Sequence, residues 1–420
     1  MDTAYQAEAT AARTAGQLVV SQLVLRNFRC HRSLRLDLGP EPVVLVGANG
    51  CGKTSVLEAL SLLAPGRGLR RARLPEMVRA DEGAAAIAWS IAARLVNRSG
   101  PIDLLTSFAA DANAARDRRQ VKIDGQPARG RAALAEALAV IWLTPDMDRL
   151  FTDGPAARRR FLDRVVWGID PAHSARVAAY ERAMYQRSVL LRRSTVELSA
   201  DPSWLDALEE TMARLGVAVA AARRQTATQL SQILSTMNDG FPPASVTMRG
   251  SLEDWLDAVP ALTVEDRFRV ALASARRGDS ESGGAAYGPH RSDMRVLHTG
   301  SQRPAETCST GEQKMLLVGL VLAGARLQQR ERREAPLLLL DDVVAHLDAR
   351  HRYAVFAAVD ALAAQVWYTG TDLTPFLPLG DRAQIVRIEQ ANDGHDVEPE
   401  NELGNGASGD GRSFEAEWLR

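Results

Sequence analysis

The sequence predicts an α/β fold, a mixed sheet interrupted by an inserted, mainly helical lobe. Three observations predict it. Short apolar pieces of strand length crowd residues 18–143 and return after residue 285. Between them lie long stretches with the 3.6-residue period of helices. A glycine-rich octapeptide, Gly47-Ala48-Asn49-Gly50-Cys51-Gly52-Lys53-Thr54, joins a strand-like run to a helix-like one, the strand–loop–helix order of an α/β unit.

The elements follow in order. Residues 1–16, rich in Ala and Thr without period, are expected to be a disordered extension. Apolar pieces at 18–25, 34–38, 43–46, 87–96, 102–108 and 120–123 read as strands of one mixed sheet, and Asp124-Gly125 closes the last as a turn. A helix is expected over 53–63, packed against that sheet, and residues 17–145 make the first part of the lobe. After a strand at 140–143, helical patterns at 156–167, 172–196, 204–237 and 264–277 mark an inserted lobe over 146–284. Residues 285–390 return to the first lobe, with a helix to about Arg330, a strand at 337–340, a helix at 348–362 and strands at 366–368 and 385–388. The acidic stretch 391–420 is expected to be a disordered tail.

Composition narrows the class. At 420 residues, with 46% hydrophobic and 25% charged, the chain can bury a sizeable core. Its net charge of -1 is unevenly placed: residues 392–420 carry eight acidic and two basic side chains, leaving 49 basic against 44 acidic before them. That mildly basic body permits nucleic-acid contacts through local patches. Cys30, Cys51 and Cys308 lack metal-ligand spacing and no charged-then-apolar leader opens the chain, so a reducing cytoplasm is expected. No apolar run reaches the ~18 residues of a membrane span, and residues 315–322 read as a buried helix.

The octapeptide matches the phosphate-binding loop, whose backbone N–H groups curl around the β and γ phosphates while Lys53 and Thr54 reach phosphate and Mg²⁺. Lysine is rare here: 48 of the 51 basic residues are arginine, and only Lys53, Lys122 and Lys314 are not. A lysine at that position of an arginine-rich chain points to a need for a compact ammonium. An apolar run ending in Asp341-Asp342 supplies a second element, with Asp341 expected to hold the metal and Asp342 to act as base toward an attacking water. Ser309-Thr310-Gly311-Glu312-Gln313 opens a predicted helix, a place for an anion. By itself it reads equally as a capping serine before a glutamate.

Placed some 255 residues after the loop and 28 before Asp341, that segment resembles the signature of ABC-type ATPases. The resemblance implies an ATPase head in which Ser309, Gly311 and Gln313 contact a nucleotide held by a second copy, giving an ATP-dependent homodimer with two composite sites. Four further stretches resemble the RecF family of bacterial recombination and replication-gap repair proteins: Asn27-Phe28-Arg29; Gly66-Arg67-Gly68-Leu69-Arg70; Pro145-Asp146 leading to Gly154-Pro155 and Arg158-Arg159-Arg160-Phe161-Leu162-Asp163; and Tyr287-Gly288-Pro289-His290-Arg291. The likeness runs from about residue 18 to 388. It implies slow DNA-dependent ATP hydrolysis, RecR and RecO as partners, RecA as the protein loaded, and a part in the SOS response.

Departures are visible. Asp153 stands where the family tends to have a small residue, Asp342 is shorter than the glutamate of transporters, and Thr369-Gly370-Thr371-Asp372 replaces their switch histidine, which suggests slow turnover. His290 and Arg291 are expected near the nucleotide lobe. Arginine clusters at Arg67, Arg70, Arg71 and Arg73, at Arg116, Arg118 and Arg119, and at Arg158, Arg159 and Arg160 are candidates for sequence-independent contact with DNA phosphates, solvated surface arginine being their ordinary reading. Competing readings are a transporter's nucleotide-binding subunit and a chromosome-organising SMC-type ATPase; the insertion has no sustained heptads for the latter's arms.

Overall fold

The computed structural model describes residues 17–79, 88–110, 117–128, 131–194, 202–237 and 240–389. The expected extension at 1–16, the tail at 391–420 and Arg116 lie outside them. In chain order come β1 (Val19–Phe28), β2 (His31–Asp37), β3 (Val43–Val46), α1 (Lys53–Leu63), β4 (Ala88–Asn97), β5 (Gly100–Ala109), β6 (Gln120–Ile123), β7 (Gln126–Pro127), α2 (Arg131–Ala137) and β8 (Val140–Leu143). Next are α3 (Pro155–Trp167), α4 (His173–Ser194), α5 (Pro202–Thr236), β9 (Ala244–Arg249), α6 (Ser251–Ala258), α7 (Ala261–Ser274), α8 (Arg276–Ser282), β10 (Asp293–His298) and β11 (Arg303–Pro304). The chain closes with α9 (Thr310–Arg332), β12 (Leu337–Leu340), α10 (Ala349–Asp360), β13 (Val366–Gly370) and β14 (Gln384–Arg387). Two compact units divide it, Met1–Met147 with Gln328–Arg420, and Asp148–Leu327.

The first unit is α/β, but the single mixed sheet expected from the sequence is two sheets. One is antiparallel, in the order β2-β1-β4-β5-β6-β7; the other is parallel, in the order β14-β3-β13-β12-β8. Burial explains the division. Val43–Val46, Val140–Leu143 and Leu337–Leu340 are apolar and buried throughout, as strands covered on both faces are, whereas β2 and β4 alternate. Pro40 and Pro42 lack the N–H that a ladder needs, so β2 cannot run on into β3.

Val56, Leu57 and Leu60 of α1 belong to the same core as Leu23, Leu25 and Ile91 of the antiparallel sheet and Leu45, Leu339 and Trp367 of the parallel one. Each such side chain contributes about 1.5–3 kcal/mol of burial. Gln365, fully buried, clips the sheets together: its Oε1 accepts from Val20 N–H at 2.9 Å and its Nε2 donates to Gly39 O at 2.8 Å.

The second unit is mainly helical around Met212, Val217, Phe268 and Leu272, with a small antiparallel sheet β11-β10-β9. Buried charges knit it: Arg187 reaches Glu209 at 2.9 Å and Asp279 at 2.7 Å, and Arg223 holds Asp163 at 2.7 Å. The expected return to the first lobe at residue 285 is corrected here to the Leu327/Gln328 division, inside α9. The cause is β9, which sequence reading missed: β10 pairs with it from Asp293↔Arg249 to His298↔Ala244 and thereby stays with the helices. The pattern at 264–277 divides at Ala275 into α7 and α8.

Candidate nucleotide site

The phosphate loop is built where β3 ends between β13 and β14. Gly47 N–H donates to Gly370 O at 3.3 Å, and a Cβ at Gly47 would meet Ile388 O at 2.2 Å, so only glycine lets the loop leave the sheet there. Gly50 (φ 84) and Gly52 (φ 109) take left-handed backbone, the alternation that turns successive N–H groups toward one centre. Lys53 is buried, and its ammonium donates to Gly47 O at 2.7 Å and Ala48 O at 2.8 Å. No acidic residue occupies the first turn of α1 and no side chain caps it, which leaves its positive end suited to an anion. Cys51 is buried in the loop and Asn49 exposed.

Asp341 ends β12 beside this loop. Its Oδ1 accepts from the Thr54 hydroxyl at 2.9 Å and from the Thr369 hydroxyl at 2.8 Å, and Thr369 Oγ1 in turn accepts from Asp342 N–H at 2.8 Å. Burial pushes the Asp341 carboxyl up; the two hydroxyls oppose that, the Asp342 charge adds to it, and the Arg70 charge works against it. A buried carboxylate and the hydroxyl that donates to it are a hard-oxygen pair of the kind Mg²⁺ takes, with the remaining positions left to water and phosphate. Among the described residues no group of three or more His, Cys, Asp or Glu could hold a metal, so an ion here would rest on these two donors and its nucleotide. The donor set therefore fits both groups: Thr54 and Asp341 for Mg²⁺, the loop amides and Lys53 for a triphosphate. Asp342 sits at φ 51, a left-handed turn that ends the strand.

Three members of this constellation were not singled out from sequence. Thr369 lies in the stretch read only as lacking a histidine. Glu58 of α1, with no exposed surface, takes Arg29 bidentately at 2.7 and 2.8 Å and Arg70 at 3.4 Å, so the Asn27-Phe28-Arg29 stretch anchors the loop helix. His31 Nε2 lies 3.2 Å from Gly52 O, and burial pushes its pKa down. A lone acid between the apolar pairs Val56-Leu57 and Ala59-Leu60 was the available signal for Glu58.

The structure brings together residues 47–54, Asp341 and Asp342 in the first unit. Ser309, Gly311 and Gln313 belong to the second. Ser309 is the cap of α9: its Oγ accepts from Glu312 N–H at 3.3 Å, while Glu312 Oε2 accepts from Ser309 N–H at 2.8 Å. The Ser309 N–H and the Ser309 hydroxyl, each donating to Glu312 Oε2 at 2.8 Å, hold the half-buried Glu312 carboxyl below its ordinary range. Gln313 Nε2 donates to Cys308 O at 2.9 Å, and the exposed Gly311 has open space where a Cβ would stand.

The arginine clusters separate. Arg67 and Arg71 are exposed, Arg70 is shared with Glu58, and Arg73 lies near Glu76 at 4.0 Å. Arg158 is corrected: it is buried, 8% exposed, in a bidentate pair with Asp293 at 2.8 and 3.0 Å and also donates to Leu150 O and Phe151 O, so its guanidinium is committed inside the fold rather than offered to a phosphate. Arg159 donates to Ser292 O at 2.7 Å, and Arg160, two positions on from Arg158, faces outward. His290 and Arg291 lie in the helical unit rather than the nucleotide lobe. His290 bonds Tyr180 Oη at 2.9 Å and Ala285 O at 3.0 Å, and Arg291 donates to Ala285 O at 3.1 Å.

Comparison with known proteins bears on the family and the fold. The family model for the RecF/RecN/SMC N terminal domain matches residues 19–374. The chain is 44% identical over 382 residues to a DNA replication and repair protein RecF of Mesorhizobium japonicum, covering 90% of this chain and 98% of that one. It is 43% identical to that of Rhizobium rhizogenes, covering 89% and 97%. Among solved structures, the recombination mediator protein RecF-ATPrS in the RecFOR pathway superposes with TM-score 0.75 at 20% identity, over 89% of this chain and 96% of that chain, a likeness of fold. The chain thus belongs to the RecF family, within the RecF/RecN/SMC class of ATPase-head folds.

Proposed function

We propose that this chain is a DNA-binding ATPase of recombinational repair and replication-gap processing, which dimerises around ATP on DNA and leaves it on hydrolysis. The observation that carries the reading is the Thr54–Asp341–Thr369 set beneath the phosphate loop, together with identity to proteins named for DNA replication and repair. Lys53 and the amides of residues 47–54 bind the phosphates, Thr54 and Asp341 hold Mg²⁺, and Asp342 orients the attacking water. Ser309, Gly311 and Gln313 complete the site of a second copy, where the N-terminal end of α9 meets the γ phosphate.

The short Asp342 side chain and the absence of a histidine in Thr369-Gly370-Thr371-Asp372 favour slow turnover, which suits a timer rather than a motor. DNA is met through phosphate contacts from Arg67, Arg70, Arg71 and Arg73, with Arg160 as a separate patch. RecR and RecO are the partners and RecA the protein loaded, in the cytoplasm, under the SOS response. A transporter subunit and an SMC-type organiser are disfavoured by the names of the relatives and by the absence of long heptad arms. Among the described residues no helix is long and apolar enough to cross a membrane.

Sedimentation of the purified protein with and without ATP and a short gapped duplex tests the reading. Dimers are expected only with ATP, and more of them with DNA; an oligomer indifferent to adenine nucleotide overturns it.

A further inference from the structure

The two helix ends assigned to the γ phosphate differ in charge. The first turn of α1 carries no acidic residue, whereas that of α9 carries Glu312. The Glu312 carboxylate already lies on the end of α9, its Oε2 accepting from the Ser309 N–H and from the Ser309 hydroxyl, each at 2.8 Å. Those bonds hold the carboxyl below its ordinary range, so it is ionised at neutral pH. The helix cap and the anion site are therefore the same groups. A second copy's phosphate that comes to Ser309 meets a resident anion, which repels it and keeps the hydroxyl proton that the phosphate needs.

Arg303 answers that charge. It is presented by the β10–β11 hairpin, where it stands opposite His298 across the strands. The hairpin turn is tied at three points: Ser301 N–H donates to His298 Nδ1 at 3.3 Å, Gln302 Nε2 to Thr299 O at 2.7 Å, and Thr299 N–H to Pro243 O at 2.9 Å. From this fixed base the Arg303 Nη2 reaches Glu312 Oε2 at 3.2 Å and Oε1 at 3.3 Å. Both are long beside the roughly 2.7–2.9 Å of a strong charge-assisted bond, so the carboxylate is held mainly by Ser309. The neighbouring Arg295 is engaged elsewhere, with Asp293 at 3.1 Å and Glu306 at 3.3 Å. Arg303 is thus a second, looser station for the Glu312 carboxylate.

We infer that Arg303 is a positioning residue of the two-copy ATP site: as the γ phosphate of a second copy reaches Ser309, the Glu312 carboxylate leaves the helix end for the Arg303 guanidinium. The inference deepens the two-copy reading given above and rests on it. The exchange conserves hydrogen bonds. The Ser309 N–H and hydroxyl turn from carboxylate to phosphate, and the carboxylate gains the two-pronged fork that arginine offers and lysine does not. The guanidinium also offsets the carboxylate's repulsion of the phosphate, which otherwise persists after the carboxylate has moved. A half-exposed pair of this kind moves an equilibrium by up to about fivefold, and two such pairs act in each dimer, up to about twenty-five-fold together.

Sedimentation of the full chain at saturating ATPγS and Mg²⁺ tests the inference through the dimer dissociation constant. Arg303→Ala is expected to weaken the dimer about tenfold, and Arg303→Lys, which keeps the charge without the fork, by about threefold. Glu312→Gln still accepts the Ser309 N–H through its amide oxygen but carries no charge, and should dimerise several-fold more tightly than the native chain. In the Glu312→Gln background Arg303→Ala should cost less than about twofold, because the group it acts through is neutral. Melting temperatures without nucleotide should stay within about 2 °C of the native value; a larger fall in Arg303→Ala makes the residue a structural one and overturns the inference. Equal losses in the two backgrounds overturn it by placing Arg303 directly on the phosphate, and a Glu312→Gln dimer no tighter than the native one overturns it by removing the resident anion as an obstacle. A native chain that dimerises no better than Arg303→Ala overturns the inference and leaves the two-copy reading standing. A native chain that stays monomeric with ATPγS overturns both.

Discussion

Thr369 and Asp341 are joined by a hydroxyl-to-carboxylate hydrogen bond of 2.8 Å, and the same hydroxyl accepts the Asp342 N–H. One side chain on β13 therefore fixes both acids at the end of β12. Thr369→Val removes the donor and orphans the amide. The expected loss is about 1–3 kcal/mol of stability in chemical denaturation. The acid limb of the ATPase pH profile should also move to higher pH, because the Asp341 charge loses a hydrogen bond. Thr369→Ser should restore both readouts; an unmoved acid limb in the valine variant would remove Thr369 from the site.

Asp341 makes a second prediction, about the metal. Its pKa in the fold is raised above the ordinary 3.8, chiefly by burial. A carboxyl of raised pKa favours the fold while protonated, so its contribution is largest at low pH and is lost as pH rises from 3.8 through the folded value. At neutral pH the metal-free protein thus carries a buried charge that Mg²⁺ would relieve. Asp341→Asn should raise the melting temperature of the metal-free chain at pH 7 and abolish the further rise that Mg²⁺ with ATP gives the native one. Melts with and without EDTA check both.

Asp163 has the opposite sign. Burial alone would raise its carboxyl, but Arg223 and His173 overcome this and hold it at about 2. Its stabilisation is complete above the ordinary 3.8 and is lost as pH falls toward 2, roughly 2 kcal/mol over that window. Asp163→Asn should flatten the acid limb of the stability curve and, by leaving Arg223 buried without its partner, destabilise the fold at pH 7 by about 3–5 kcal/mol.

What the sequence made legible was chemistry carried by contiguous residues. The octapeptide ending Lys53-Thr54, the Leu337–Leu340 strand before Asp341 and the cap at Ser309 are each one stretch with one local geometry. Glu58 with Arg29, and Asp341 with Thr369, are pairs 29 and 28 residues apart that only the sheet order brings together. The split of the sheets was present in the contrast between continuous apolar runs and alternating ones, and was missed by treating all strands alike. The arginine triplet misled for a helical reason: at 100° per residue Arg158 and Arg160 cannot share a face, so one is buried while the other is exposed.

That division of arginines gives a fourth prediction. Arg158→Ala should take from Asp293 its bidentate partner, leaving only Arg295 at 3.1 Å, and cost about 1–3 kcal/mol of stability. Arg67→Ala and Arg71→Ala, on exposed side chains, should fold normally and each lower the slope of log affinity against log salt by about 0.9 on duplex DNA. Fluorescence anisotropy over a salt series checks the slopes. An unchanged slope in both variants would move the interface elsewhere.

The composite site is tested at Ser309 and Lys53. The Lys53 ammonium reaches the loop carbonyls of Gly47 and Ala48, and Lys53→Ala should abolish ATP binding outright. Ser309→Arg loses the cap of α9, about 1 kcal/mol, a small part of a domain's stability of about 5–15 kcal/mol, so the variant should fold. It keeps the whole phosphate loop and Asp341, and should bind ATP as the native chain does. What it lacks is room for a partner's γ phosphate against the helix end. Sedimentation with ATP should show it monomeric. Ser309→Ala, which loses the cap without adding bulk or charge, should still dimerise. If the arginine variant dimerises as fully as the native chain, the signature segment contacts no second nucleotide and the two-copy site is wrong.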